Sequence, residues 1–365
     1  MMDEAIGSNV RLARLFNGFS LAELGEKLDR SKQYLSRVET GAEPVSVSLE
    51  QAFVEHLGIL PEFLREVDPM PLTEEQCHFR KQLTTKVALR QYARARGEML
   101  KRLVCVLDEH LELPEYNITE ADPSSEESIE RGAEACRNAW GLGWGPISNI
   151  TRVAENVGAV VMRVAGLAHE VDAVSFATRR PVIALNNNGR SACRARFGIA
   201  HELGHFALHI GVLTGDRLTE TQANRFASAF LLPRASFLVE SRRVLRGTRI
   251  NWDSMSELKM RWGVSKAALL YRGRQLGVFT EDQVRAGYIT LNRHGEAVLE
   301  NEDASMPIEQ PEVVNDGLRV MTEELGVPLV AVARKMFVQP RLLNDLLGSH
   351  PQPSNTNVVN FLGTA

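Results

Sequence analysis

One segment near the middle of the chain carries two histidines four residues apart, His201 and His205. The residues around them, from Arg194 to His209, are largely apolar and include no proline, which predicts a buried helix. In a helix, positions four apart return to within roughly 40° of each other. The two imidazoles then face the same way and can bind one zinc ion. Glu202 lies beside them, within reach of a water at an open coordination position.

A catalytic zinc site needs a third protein ligand, because it uses three such ligands and leaves one position for water. The next helical pattern begins at Glu220 and ends at Pro233. Glycines and polar residues between positions 211 and 216 predict a turn that would return this helix against the first one. Glu220 is therefore the predicted third ligand, since two histidines and a glutamate from a following helix form a known catalytic set.

These two segments resemble the ImmA/IrrE family of metallopeptidases. The matching stretches are Arg196-Phe-Gly-Ile-Ala-His-Glu-Leu-Gly-His-Phe-Ala-Leu-His and, from Glu220, Glu-Thr-Gln-Ala-Asn-Arg-Phe-Ala-Ser-Ala-Phe-Leu-Leu-Pro. The resemblance implies that the two histidines of H-E-x-x-H and the glutamate of the second helix bind the metal, and that the glutamate inside H-E-x-x-H is the general base. By motif position these residues are His201, His205, Glu220 and Glu202.

The sequence departs from the family pattern at one position. Family members often have two acidic residues before the Ala-Asn pair, and here the nearer position is Gln222. The metal is therefore assigned to Glu220, with Asp216 as a weaker substitute. Two further residues are candidates for supporting the ligands. His209 could support a ligand, help to polarise a carbonyl or simply pack, and Arg196 could pair with a carboxylate.

The first sixty residues predict short helices joined by tight turns. Ser20 is a good N-cap and Glu23, three residues later, completes a capping box. A short turn at positions 29–31 leads to Ser31, which can cap the next helix. Two short helices separated by such a turn predict a helix-turn-helix, whose second helix would read DNA.

The outer face of this second helix carries residues that can all donate to bases or phosphates. They are Lys32, Gln33, Tyr34, Ser36 and Arg37. The run from Phe19 to Gly41 resembles the XRE/Cro family of repressors. It departs from the usual pattern at Leu21, where a glutamine that contacts phosphate is common, and this departure removes one expected DNA contact.

Charge does not decide between DNA binding and a helical protein-protein module of the same fold. Residues 1–60 hold six Lys and Arg against nine Asp and Glu, whereas DNA binding draws its affinity from neutralising phosphates. Residues 80–102 hold eight positive charges and one negative charge, and are predicted to be helical. This basic block could follow a DNA backbone or be a solvated face.

The predicted fold is α+β and mainly helical. Three strand-like runs at 158–164, 173–178 and 181–186 predict a small sheet beside the zinc helix, as in a zincin-like peptidase. An edge strand of such a sheet could hold an extended substrate, although the sequence does not indicate which strand lies at the edge. A further helix-turn-helix pattern at 258–277 is attributed to packing. The predicted divisions are a helix-turn-helix domain at 1–68, a basic helical linker at 69–125, a metallopeptidase domain at 126–245, a helical C-terminal region at 246–350 and a tail at 351–365.

Composition places the chain among ordinary cytosolic proteins. No stretch has the roughly eighteen consecutive apolar residues of a membrane span, and the first residues do not resemble an export signal. The four cysteines are scattered without C-x-x-C spacing, so we expect free thiols.

These observations predict a cytoplasmic, DNA-binding transcriptional regulator with a fused zinc endopeptidase. The expected partners are a DNA operator, a protein substrate and a second copy of the chain. The resemblance implies that the substrate is a helix-turn-helix repressor cut under stress or on phage induction. Two alternatives stay open: a transcription factor whose zinc domain senses a ligand or dimerises without proteolysis, and self-cleavage in the linker.

Overall fold

A computed structural model describes residues 5–73, 76–79, 87–164, 173–176, 178, 180–186 and 191–348. Part of the predicted basic block (Arg80, Lys81 and Lys86) and the predicted tail at 351–365 lie outside the described residues. Within the described part of the chain, no helix combines the length and apolarity required to cross a membrane.

The N-terminal domain is built from four helices, whose ends follow local capping signals. Ser20 accepts a hydrogen bond from the backbone N–H of Glu23, and the Glu23 carboxylate accepts one from Ser20, which confirms the capping box. Gly25 allows the turn to close, because a Cβ there would lie 2.5 Å from the carbonyl oxygen of Arg30. The helices are α1 (Gly7–Phe16), α2 (Leu21–Leu28), α3 (Lys32–Glu39) and α4 (Val47–Leu57), followed by a 3-10 helix at Pro61–Leu64.

The segment between the two predicted domains contains one short strand and one long helix. These are β1 (Cys77–Phe79) and α5 (Val87–Asp108). The basic block is helical from Val87 onward, and Arg94 is exposed on it, whereas three of its other charges are not available to a ligand. Arg96, Lys101 and Arg102 are largely buried and pair with carboxylates of the protein, so they are not a solvated basic face.

The middle of the chain alternates helices with the strands of a small mixed sheet. Its elements are α6 (Glu126–Ala139), α7 (Ile150–Asn156), β2 (Val160–Val164), β3 (Ala173–Phe176), β4 (Val182–Asn186), α8 (Ala192–Leu208), α9 (Arg217–Leu231) and α10 (Arg234–Glu240). The strand order is β1-β3-β4-β2. β2 and β4 are parallel, whereas β3 runs antiparallel to both β4 and β1.

The C-terminal third begins with a hairpin of two short strands, each two residues long, and is otherwise helical. Its elements are β5 (Leu245–Arg246), β6 (Arg249–Ile250), α11 (Trp252–Trp262), α12 (Lys266–Gln275), α13 (Glu281–Arg293), α14 (Val313–Glu323), α15 (Leu329–Lys335) and α16 (Pro340–Leu346), with 3-10 helices at Ser241–Val244 and Asn301–Ser305. Trp262, Leu269 and Leu270 are buried, so α11 and α12 pack into the protein as expected.

Two hydrophobic cores lie on opposite faces of the sheet. One is formed by α1–α5 and α14–α16 with residues such as Val174 and Phe176 of β3. The other is formed by α6–α13 with residues such as Ala173 of the same strand. The sheet therefore separates the half that contains the N-terminal helices from the half that contains the H-E-x-x-H helix. The predicted domain limits stay predictions, and the predicted C-terminal region contributes to both cores.

Candidate metal centre and nucleic-acid interface

The predicted metal-binding histidines lie on α8, one helical turn apart. Ser191 caps this helix by accepting a hydrogen bond from the N–H of Arg194. The helix is buried, and the His201 and His205 side chains are each 1% exposed. Their Nε2 atoms are 3.0 Å apart, so both histidines point toward one position.

The helix α9 brings Glu220 to the same position. Gly204, inside the H-E-x-x-H motif, lets the two helices approach, because a Cβ there would lie 3.1 Å from Phe226. The two carboxylate oxygens of Glu220 lie 3.5 Å from His201 Nε2 and 3.4 Å from His205 Nε2. One ligand atom from each of the three residues lies within 4.8 Å of the others.

This spacing suits a zinc ion. Zinc binds imidazole nitrogen and carboxylate oxygen at about 2.0–2.2 Å in tetrahedral geometry, which places ligand atoms roughly 3.3 Å apart. Glu220 Oε1 is also buried without a hydrogen bond among the described residues. A buried, unpaired carboxylate oxygen beside two imidazole nitrogens is the donor set that a divalent cation would satisfy.

Hydrogen bonds behind the histidines determine which nitrogen faces that position. Gln222 Nε2 donates to the carbonyl oxygen of Pro123, which leaves Gln222 Oε1 as the acceptor facing His209 Nε2 at 2.9 Å. His209 must therefore donate from Nε2. Its Nδ1 then accepts from His205 Nδ1, 3.0 Å away. The lone pair of His205 is consequently on Nε2, where a metal would bind.

His201 is oriented in the same manner by a different partner. Its Nδ1 lies 3.0 Å from Oδ1 of Asn224, an amide oxygen that can only accept a hydrogen bond. His201 therefore carries its proton on Nδ1 and its lone pair on Nε2. Both partners, Asn224 and Gln222, belong to α9, so the helix that supplies the acidic ligand also orients the two histidines.

Burial and charge favour the protonation states that a metal requires. Burial lowers the pKa of His205 to about 3, so this imidazole stays neutral at physiological pH. Burial alone would raise the pKa of Glu220, but the close approach of His201 and His205 lowers it well below its usual value. The site thus offers a neutral His205 imidazole and an ionised Glu220 carboxylate.

Glu202 is 1% exposed and points toward the sheet. Its Oε2 accepts a hydrogen bond from the Ser175 hydroxyl of β3. Ser175 was not predicted from the sequence, because its role depends on how β3 lies against α8.

A fourth histidine that was also not predicted lies against the site. His78 of β1 is 1% exposed, and its ring stacks on that of His205 with centroids 4.8 Å apart. His78 Nδ1 is 2.7 Å from the Thr214 hydroxyl, whereas its buried Nε2 has no hydrogen-bond partner among the described residues. More than 120 residues separate His78 from the motif, so no local pattern could have revealed the contact.

The remaining candidates have other partners. Asp216 caps α9 by accepting from the N–H of Thr219, which argues against its use as a substitute ligand. Arg196 donates to the carbonyl oxygens of Ile147 and Gly263 and pairs with Glu309, the predicted kind of carboxylate contact.

The predicted DNA-reading residues lie along α3. Leu35 and Val38 of this helix are buried, which turns the opposite face outward. On that face Lys32, Gln33 and Arg37 are exposed, while Tyr34 and Ser36 are half-buried. The Arg37 side chain is 61% exposed, with Glu43 at 3.5 Å as a weak partner.

Comparison with known families agrees with both halves of this description. Residues 5–67 match the helix-turn-helix domain, and residues 154–273 match the IrrE N-terminal-like domain of peptidases. No curated protein matches the chain. Typical members of the second family depend on a metal. The chain thus joins an N-terminal helix-turn-helix domain to a metallopeptidase-type domain of the ImmA/IrrE family.

Proposed function

We propose that this protein is a DNA-binding regulator with a zinc-dependent endopeptidase site. His201, His205 and Glu220 would hold the zinc, and α3 would bind DNA through Lys32, Gln33, Tyr34, Ser36 and Arg37. The observation that carries the peptidase proposal is the convergence of two Nε2 atoms and one carboxylate, with both histidines oriented from behind.

When bound, zinc would lower the pKa of a coordinated water and polarise a peptide carbonyl. Glu202 would accept the proton of the attacking water and deliver it to the leaving amine. Ser175 holds the Glu202 carboxylate in one orientation by donating to Oε2. Asn224 and His209 keep the lone pairs of His201 and His205 directed at the metal position.

Glu202 favours the peptidase over a regulator whose zinc domain only senses a ligand or dimerises. A structural or sensory site needs the three ligands but has no use for a second carboxylate beside them. Burying a carboxylate costs free energy unless it is compensated, and Glu202 is almost fully buried. The proposed substrate is a protein, with a helix-turn-helix repressor as the class that the family resemblance suggests.

The test compares wild type with Glu202→Gln. The amide oxygen of glutamine can still accept from Ser175, so we expect an unchanged fold and bound zinc, with cleavage reduced by roughly 10²–10⁴-fold. Zinc content is measured on the purified proteins, and cut sites are mapped in a bacterial proteome incubated with each. His201→Ala is the matched control that loses the metal as well as cleavage. Equal cleavage by wild type and Glu202→Gln would rule out the mechanism.

A further inference from the structure

The sheet of the peptidase half contains a strand that the matched domain does not supply. The IrrE-like match begins at residue 154, whereas β1 lies at Cys77–Phe79. Within the matched region the described strands would have the order β3-β4-β2, leaving β3 at an edge. β1 covers that edge by pairing antiparallel with β3.

β3 is also the strand that contacts the proposed general base. Ser175 of β3 donates to Glu202, and His78 of β1 lies directly opposite Ser175 in the pairing register. Cross-strand partners point to the same face of a sheet, so His78 enters the metal centre and stacks on His205. Thr214, in the turn between α8 and α9, holds the His78 ring from the other side.

An extended peptide binds a sheet by adding a strand to a free edge through main-chain hydrogen bonds. The β3 edge beside Glu202 is the position from which such a peptide would pass closest to the base, and β1 already occupies it. The site is correspondingly closed, since Glu202 and both histidine ligands are at most 1% exposed.

We propose that β1 is an intramolecular plug, which must leave the β3 edge before a protein substrate can enter. This inference rests on the proposed peptidase function and adds the regulation of the same site. Only nine residues separate β1 from the end of the helix-turn-helix match at residue 67. The plug is therefore connected directly to the DNA-binding domain, whose movement would be able to pull it out.

The chain offers a reversible way to lock the plug. Cys77 lies directly opposite Phe176, and directly opposed residues of antiparallel strands have Cα atoms about 4.5 or 5.5 Å apart, within the range of a disulfide. Both side chains belong to the core on the far side of the sheet from the metal centre. Phe176→Cys should therefore form a disulfide with the native Cys77 that fixes β1 without touching a ligand.

The matched control is Cys77→Ser combined with Phe176→Cys, which has the same cavity in the core but cannot form the bond. Each protein is loaded with zinc, and two rates are measured with and without reductant: removal of zinc by EDTA, and cleavage of denatured casein as an extended substrate. Disulfide formation is verified by mass spectrometry. We expect the disulfide to slow both rates by roughly tenfold or more, corresponding to at least about 1.4 kcal/mol of suppressed opening. For the control, both rates should be the same with and without reductant.

The results separate the two proposals. If the locked protein releases zinc and cleaves casein as fast as its reduced form, β1 is not a plug. If locking accelerates cleavage, β1 is part of the substrate platform and the inference is also overturned. If locking slows zinc removal while no form cleaves any protein, the plug stands and the peptidase function fails.

A second variant covers the case in which Phe176→Cys folds poorly. His78→Gly removes the stacked ring and weakens the strand. We expect faster zinc removal and faster hydrogen exchange of the backbone amides at Ala173–Phe176 than in wild type. Unchanged exchange and unchanged zinc removal would contradict the proposal.

Discussion

Gln222 shows how one neutral side chain can set the protonation of two histidines. Its amide group donates to Pro123 and accepts from His209, so His209 must in turn accept from His205. A carboxylate at this position could accept a hydrogen bond but could not donate one to a carbonyl oxygen. The glutamine therefore suits a position that bridges a backbone acceptor and an imidazole donor.

We predict that Gln222→Leu weakens zinc binding by roughly 10–100-fold, as is typical when a partner behind a metal-binding histidine is lost. Without the amide acceptor, His209 can protonate Nδ1 and compete with His205 for the hydrogen bond. The measurement is competition for zinc against a chromophoric chelator. Thr221→Ala is the control, because Thr221 is the neighbouring, exposed residue and its hydroxyl donates to the Arg217 carbonyl oxygen of its own helix. Equal affinities of the two variants would contradict this role.

Only some residues of the site could be predicted from the sequence. Helical spacing was enough to predict that His201 and His205 face one way, and the turn before α9 indicated that Glu220 could join them. Ser175 and His78 gave no such signal. Both depend on the placement of strands against α8, which is set by packing over long sequence separations rather than by local pattern.

At the scale of single elements, helix caps and the strands β2, β3 and β4 were predicted from the sequence, whereas β1 was not. Ser20 and Ser31 cap the two helices of the helix-turn-helix, as predicted. These signals are local, since a cap bonds to a backbone N–H within three residues. β1 is three residues long and pairs with β3, which lies almost a hundred residues later in the chain, so its own sequence could not predict it.

The helix α5 illustrates the limit of reading charge from sequence. Its basic residues left open a DNA-facing surface or a solvated face, yet Arg102 pairs with Glu66 and Lys101 with Asp68. Both partners lie just after the N-terminal helices. Lys101 and Arg102 therefore attach α5 to the segment that follows the N-terminal helices, whereas Arg94 stays exposed.

We predict that Arg37→Ala lowers DNA affinity and reduces the slope of log K against log salt by about 1, because an exposed arginine that contacts phosphate releases one counterion. Binding is measured by fluorescence anisotropy on DNA selected by the wild type from a random pool, at several salt concentrations. Arg285→Ala on α13 removes the same charge from an exposed position outside α3. An equal loss of DNA affinity in both variants would show that only the net charge of the protein matters.

At the scale of the whole molecule, the C-terminal helices return to the DNA-binding domain. Ile59 and Val338 form a β-bridge, and Gln339 donates to the carbonyl oxygens of Val54 and Gly58. α14–α16 share one hydrophobic core with α1–α5. The DNA-binding domain is thus attached both through its own linker and through the opposite end of the chain.

We predict that cutting the linker does not release the DNA-binding domain. A recognition site for a specific protease, inserted between the exposed residues Thr119 and Glu120, would be cut in the folded protein. Because the shared core survives the cut, both fragments should elute together in size-exclusion chromatography and separate only in denaturant. Deleting residues 340–365 as well serves as the comparison, since it removes α16 from the core. Free N-terminal fragment after cutting the full-length protein would show that self-cleavage could liberate the domain.

Successive side chains of β3 point to opposite faces of the sheet, so this strand contacts both halves of the protein. Phe176 lies on one face against Gly97 of α5, close enough that a methyl group on that glycine would collide with its ring. Ser175, the adjacent residue, reaches through the other face to Glu202. A shift of α5 transmitted to Phe176 must also displace Ser175, since a single peptide bond joins them. A movement of α5 would therefore be transmitted, through two adjacent residues of β3, to the carboxylate that is proposed to carry the proton.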